Sequence, residues 1–300
     1  MNNTFKLLII KRMKINKWQT IVAILTLLII TQSCINQKVT ESEIFNPTKE
    51  YSLDEHFSFQ RYFVANTDTT KLELWHITEN NPAFNFIYLS GNGSNVRSAV
   101  PFFNELANQA DVNIFTFNYS GYGLSDGKPT IEGIVNDGNI ALEFFNQNLN
   151  NNLPTLLMGY SMGGYVALNI LKKDFIDQVI IMSTFTSLEE LEDYLIKDAL
   201  PWIIRPFLKL DVDEKIYKLN NKPLAQKVEK PVLVIHGKDD DFIPPAMGKT
   251  LYELMPSESK KFVSIDDAGH RMVLTDKEKM KDVIREIIKF TEQNEFITLD

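Results

Sequence analysis

Thr155-Leu156-Leu157-Met158-Gly159-Tyr160-Ser161-Met162-Gly163-Gly164-Tyr165-Val166-Ala167-Leu168 is the stretch that decides the fold. It opens with a short apolar run. Gly159 to Gly163 then read G-x-S-x-G, and small and apolar residues follow. The order predicts a short buried strand, a sharp turn and a helix. A turn of this kind lifts the hydroxyl of Ser161 to the end of the strand, and the flanking glycines let neighbouring backbone pass close by. Ser161 is therefore a candidate nucleophile.

The chain on either side repeats the strand–helix rhythm. Strands are expected near 59–65 and 71–78, as a hairpin-like start, and then at 84–89, 113–118, 155–160, 178–183, 231–236 and 261–265. Helices are expected near 97–109, 131–148, 162–172, 245–254 and 275–292. Such alternation predicts an α/β fold with a mostly parallel central sheet and helices on both faces. Residues 186–229 break the rhythm and read as a small helical cap. Its apolar residues either line a hydrophobic pocket above Ser161 or pack onto the domain.

A serine hydroxyl needs a base to take its proton. In α/β hydrolases, which the strand–turn–helix around Ser161 resembles, the partners follow in the chain order serine, acid, histidine. The chain holds four histidines. His56 precedes the first clear strand, His76 lies within an alternating strand, and His236 ends one. His270 follows the strand at 261–265 and a short loop, so it is the candidate base. The candidate acid lies after the strand that ends at His236, in Gly237-Lys238-Asp239-Asp240-Asp241-Phe242-Ile243-Pro244. The register H-G-x-x-D-x-x-I-P selects Asp240, with Asp239 and Asp241 as alternatives. The oxyanion of an acyl-transfer intermediate needs preorganised donors. The expected ones are the backbone N–H of Met162 and that of Asn92, in the Gly-rich loop after the strand at 84–89.

Four segments resemble the α/β-hydrolase superfamily in its serine-aminopeptidase-like (S33-type) branch. They are Leu89–Gly93, Asn118–Gly127, Gly159–Gly164, and the loops of Asp240 and His270. The resemblance spans roughly residues 58–292. It departs from the family pattern at Ser90, where histidine is usual, at Asn118, where aspartate is usual, and at Ser120, where arginine is usual. It implies a serine hydrolase that cleaves an ester, thioester or amide through an acyl-enzyme, with esterase chemistry favoured over peptidase chemistry. The contrasting expectation is a binding protein that keeps the fold without the chemistry, since fold alone does not guarantee activity. No His/Cys ligand cluster is present, so neither a metal nor an organic cofactor is expected.

The 300 residues, 44% hydrophobic and 23% charged, suit one globular domain. Residues 1–33 differ. Lys11, Arg12, Lys14 and Lys17 precede the apolar run Ile21–Ile30, a signal-peptide layout whose start is Met1 or Met13. Cys34, the one cysteine of the chain, follows directly and resembles the lipidation site of bacterial lipoproteins, although Thr31 and Gln32 depart from that pattern. The expectation is a lipid-anchored envelope protein, periplasmic or surface-facing. Residues 34–56 are expected to be a tether, with the hydrolase domain from 57 to 300. The five basic residues before Cys34 leave 26 of the 31 lysines and arginines against 39 acidic residues, a net charge of −13 in the rest of the chain. That balance argues against nucleic acid as a partner. It leaves a small-molecule or acyl substrate as the expected partner, besides the membrane reached through the anchor.

Overall fold

The computed structural model describes residues 37–49, 58–67, 69–199 and 210–294. The proposed signal peptide, Cys34 and His56 lie outside the described residues. In chain order the elements are β1 (Gln37–Val39), α1 (Glu41–Ile44), β2 (Gln60–Ala65), β3 (Lys71–Ile77) and β4 (Phe84–Leu89). A 3₁₀ turn leads into α2 (Val100–Ala107), followed by β5 (Val112–Phe117), α3 (Ile131–Asn148), β6 (Thr155–Tyr160), α4 (Met162–Ile170) and β7 (Gln178–Met182). Then come α5 (Leu188–Ala199), β8 (Leu210–Val212), a 3₁₀ turn, α6 (Lys222–Ala225), β9 (Val232–Gly237), α7 (Pro245–Leu254), β10 (Lys260–Ile265), α8 (Met272–Thr275) and α9 (Lys277–Gln293). Among the described residues no helix is long and apolar enough to cross a membrane.

Eight strands form one sheet in the order β10-β9-β7-β6-β4-β5-β3-β2. The pairs from β10 to β5 are parallel, while β3 is antiparallel to both β5 and β2. The expected mostly parallel sheet with helices on both faces is the observed one. Its central strands are apolar without alternation because helices cover both faces. Every residue of β4, β5, β6, β7 and β9 is buried. One side of the core takes Ile134 and Phe145 of α3, Val166 of α4 and Leu251 of α7. The other takes Phe102 and Leu106 of α2 with Val283 and Ile287 of α9. Each such fully buried side chain contributes about 1.5–3 kcal/mol of transfer free energy.

The order of strands also decides where a site can form. From β4 the chain steps outward to β5, whereas from β6 it steps the opposite way to β7, and β4 and β6 are neighbours. The loops leaving their C-terminal ends therefore diverge, and a crevice opens between them. The loop of Asn92 follows β4 and Ser161 follows β6.

The tether expected at 34–56 is corrected for the part described. Residues 37–49 do not run free: β1 pairs in parallel with β8, Gln37 opposite Leu210 and Val39 opposite Val212, and Phe45 is buried in the core. The Thr48 carbonyl accepts the Gly123 N–H at 2.9 Å. A polar-looking segment docks because its few apolar side chains, Val39, Ile44 and Phe45, find a surface formed by distant parts of the chain.

Candidate active site

Ser161 stands at the turn between β6 and α4 with φ 54° and ψ −119°. A side chain in that region costs of order 1–3 kcal/mol and persists only where the surroundings enforce it. Here the Ser161 N–H donates to the Met182 carbonyl at 2.9 Å, and the Ser161 carbonyl accepts the Thr184 hydroxyl at 2.9 Å. The glycines of the motif are required by close approach. A Cβ on Gly159 would stand 2.4 Å from the Gly163 carbonyl oxygen, and one on Gly163 would stand 2.2 Å from that of Leu89.

Three distant loops bring three side chains together. His270 Nε2 lies 3.1 Å from Ser161 Oγ, and His270 Nδ1 lies 2.8 Å from Asp240 Oδ2. The other oxygen, Oδ1, accepts the N–H groups of Phe242 at 3.1 Å and Ile243 at 2.8 Å. Of the three consecutive aspartates only Asp240 is buried, at 3% exposure, while Asp239 and Asp241 are exposed. Asp266 sits apart in an ion pair with Lys238.

Burial alone would raise the Asp240 pKa. The hydrogen bonds from His236 and His270, the charge of His270 and the Ile243 N–H outweigh it and hold the carboxyl at about 2. The carboxylate is thus a fixed negative charge beside the imidazole. Its ionised state favours the tautomer with a proton on Nδ1, which leaves Nε2 free to accept from Ser161.

His236 is fully buried and supports this acid. Its Nε2 lies 2.9 Å from the Ile243 carbonyl and 3.2 Å from Asp240 Oδ2. Gly248 leaves room for the ring: a Cβ there would stand 2.4 Å from His236 Nδ1. Tyr160 holds His270 from the other side, its hydroxyl donating to the His270 carbonyl at 2.8 Å. Phe242, half exposed, meets the His270 ring edge-on with centroids 5.1 Å apart. The residue order alone pointed to His236 only as a strand-end group, and it offered nothing for Tyr160.

Asn92 and Met162 both line the crevice at Ser161. Met162 is the first residue of α4, so its N–H has no acceptor within the helix. Gly91 passes directly beside Ser161: a Cβ there would lie 3.1 Å from Ser161 Cβ. A network absent from the sequence reading stands behind this loop. Buried Glu73 pairs with Arg61 at 3.0 Å and accepts from Trp75 Nε1, Asn118 Nδ2 and the Leu124 N–H. Asn118 in turn accepts the Val96 N–H at 2.9 Å. Ser120 donates through its N–H and its hydroxyl to Asp137, whose carboxyl burial pushes upward in pKa. Both departures from the family pattern in this segment are thus engaged in buried hydrogen bonds.

The crevice widens into a cavity of about 640 Å³ with walls that are almost wholly apolar. Leu188, Leu191, Leu195 and Ile196 of α5 form one wall, so the insertion after β7 lines the space at Ser161 as well as packing on the body. Among the described residues no three carboxylate, imidazole or thiol groups converge as metal ligands would.

The family model for serine aminopeptidase, S33, matches residues 81–223. The uncharacterized protein YfhR of Escherichia coli (strain K12) is 31% identical over 228 residues, 73% of this chain and 75% of that protein. The uncharacterized membrane protein YNL320W of Saccharomyces cerevisiae is 26% identical over 235 residues, 77% of this chain and 79% of that protein. Among solved structures, the Pyrococcus furiosus esterase Pf2001 shares the fold with a TM-score of 0.66 at 19% identity, covering 83% of this chain and 97% of that one. With the sheet order, the serine turn after β6 and a relative of this identity and coverage in agreement, the chain belongs to the α/β-hydrolase superfamily.

Proposed function

We propose that this chain is a serine hydrolase that cleaves an acyl ester, or a related thioester or amide, through an acyl-enzyme. The observation that carries the reading is the unbroken relay Ser161 Oγ–His270 Nε2 and His270 Nδ1–Asp240 Oδ2, at 3.1 and 2.8 Å. Ser161 Oγ attacks the carbonyl carbon as its proton passes to His270 Nε2. The carbonyl oxygen becomes an oxyanion facing the N–H groups of Met162 and Asn92. His270 then gives the proton to the leaving alkoxide, thiolate or amine, and the acyl group stays on Ser161. A water, deprotonated by the same histidine, releases the acid and restores the serine. Asp240 orients the imidazolium and balances its charge without taking the proton. The apolar cavity favours an acyl group over a peptide, whose amides would be left unpaired there.

The experiment is labelling with a fluorophosphonate probe. The wild-type chain is expected to label and Ser161→Ala to lose both labelling and ester hydrolysis. Undiminished labelling of the alanine variant ends this reading. A wild-type chain that neither labels nor turns over small esters supports a binding protein instead.

We further propose that Cys34 is lipidated and anchors the chain in the cell envelope. The support is the basic-then-apolar leader and the single cysteine at its end. Only two residues separate Cys34 from Gln37, where β1 begins, so covalent geometry keeps the two within about 11 Å. On this reading the hydrolase body sits close to the bilayer. Cys34→Ser is expected to release it, and the mass of the mature N-terminal peptide decides: an unmodified N-terminus overturns the lipoprotein reading.

A further inference from the structure

Residues 39–48 precede the strands of the main sheet, yet they touch the site at several points. Val39 closes the pairing with β8, and the Asp213 N–H donates to its carbonyl at 3.0 Å. Thr40 and Glu43 form a capping box that holds the single turn of α1. Glu41 accepts the Ile131 N–H at the start of α3, at 2.6 Å. The segment is therefore tied to the return of the insertion and to a helix of the main body.

Its third tie is to the loop of Asn92. The Asn92 Oδ1 accepts the Asn46 N–H at 2.8 Å and the Tyr122 hydroxyl at 2.6 Å, while Nδ2 donates to the Ile44 carbonyl at 2.6 Å. The orientation of this amide is dictated by its partners, since two donors face the oxygen and a carbonyl faces the nitrogen. Two of the three bonds go to backbone of the segment. Asn92 is also the residue whose own N–H is assigned to the oxyanion, so the segment grips that donor from behind.

The segment closes the cavity as well. Val39, Ile44 and Phe45 line it together with Leu191 and Leu195 of α5 and with Met162. The hydrocarbon chain of an acyl group has no polar group to leave unpaired against these walls.

We infer that Val39–Asn46 is a specificity-determining and positioning element of the active site: it walls a cavity that takes the hydrocarbon chain of the acyl group and clamps Asn92 in place. The inference rests on the serine-hydrolase reading and adds to it a substrate class and a role for the segment.

The test uses the full chain and p-nitrophenyl esters from acetate to hexadecanoate. Burial of a methylene is worth up to about fourfold in kcat/KM. The wild-type chain is expected to favour octanoate over acetate by at least about tenfold. Ile44→Trp fills the cavity and is expected to lower the octanoate-to-acetate ratio by at least about tenfold, whereas Ile44→Ala moves the optimum to longer chains. Asn92→Ala is expected to lower kcat about tenfold or more for acetate and octanoate alike, with KM within about threefold. That split marks a positioning role, because a merely loosened fold would weaken binding of the long chains too. A flat chain-length profile, an optimum at acetate, or Ile44 variants that keep the wild-type ratio overturn the inference while leaving the hydrolase reading intact. Absence of both hydrolysis and fluorophosphonate labelling in the wild-type chain fails the hydrolase reading itself.

Discussion

Replacing Asp240 by asparagine changes one atom and inverts one hydrogen bond. In the native site Oδ1 accepts two backbone N–H groups, and Oδ2 accepts from His270 Nδ1 at 2.8 Å. An asparagine keeps its oxygen on the two N–H donors, because turning the amide would set donor against donor there. Its NH₂ must then face His270, which holds Nδ1 unprotonated and places the proton on Nε2. A protonated Nε2 donates to Ser161 Oγ, 3.1 Å away, and has no lone pair to accept the serine proton. The charge that would stabilise the imidazolium is lost as well. The same change in a serine protease lowers kcat about 10⁴-fold, and a loss of about 10³–10⁴-fold is expected here. The assay is steady-state hydrolysis of a p-nitrophenyl ester near neutral pH, with the labelling rate of a fluorophosphonate probe as a second reading of Ser161. Thermal unfolding of the same samples monitors the fold. Asp239→Asn and Asp241→Asn, both at exposed positions, are expected to change kcat less than about threefold, as surface substitutions do. An Asp240→Asn enzyme within tenfold of wild type, or a larger loss at Asp239, refutes the assignment of the acid.

Three further outcomes follow from the same geometry. Gly163→Ala sets a Cβ 2.2 Å from the Leu89 carbonyl oxygen. It should cost about 3 kcal/mol or more and lower the melting temperature by roughly 6–12 °C, as read by calorimetry. Tyr160→Phe removes the bond to the His270 carbonyl, worth about 0.5–1.5 kcal/mol, and should reduce kcat roughly threefold to tenfold with KM unchanged, as measured by ester kinetics. Asp240 is ionised far below the ordinary aspartate value of 3.8, at about 2 in the folded chain. Its contribution, on the order of 2 kcal/mol, is present above pH about 4 and is lost as pH falls toward 2. Denaturant midpoints of wild type and Asp240→Asn, compared between pH 5 and pH 2, should therefore converge at the acid end.

The sequence by itself determined the elements that rest on local pattern. The strands of the main sheet and the longer helices were legible because buried parallel strands read as short apolar runs and helices as amphipathic ones. Ser161, Asp240 and His270 were legible because the motif spacing and the order of the loops restrict where each can stand. Which of three adjacent aspartates faces His270 was already selected by register, and burial of Asp240 alone accounts physically for that choice. Tertiary structure decided what depends on partners far away in the chain. The three-residue strands β1 and β8 are too short to carry a period, and they meet across about 170 residues. Residues 37–49 look like a linker in isolation, since their polar composition gives no hint that Asn92, Gly123 and Ile131 will take up their backbone and side-chain groups. Glu73 reads as the polar face of an alternating strand, yet it is buried because Arg61, Trp75 and Asn118 converge on it. A local pattern specifies which face of an element is apolar. It does not specify which distant segment covers that face, and in this chain the covering segments shape the cavity beside Ser161.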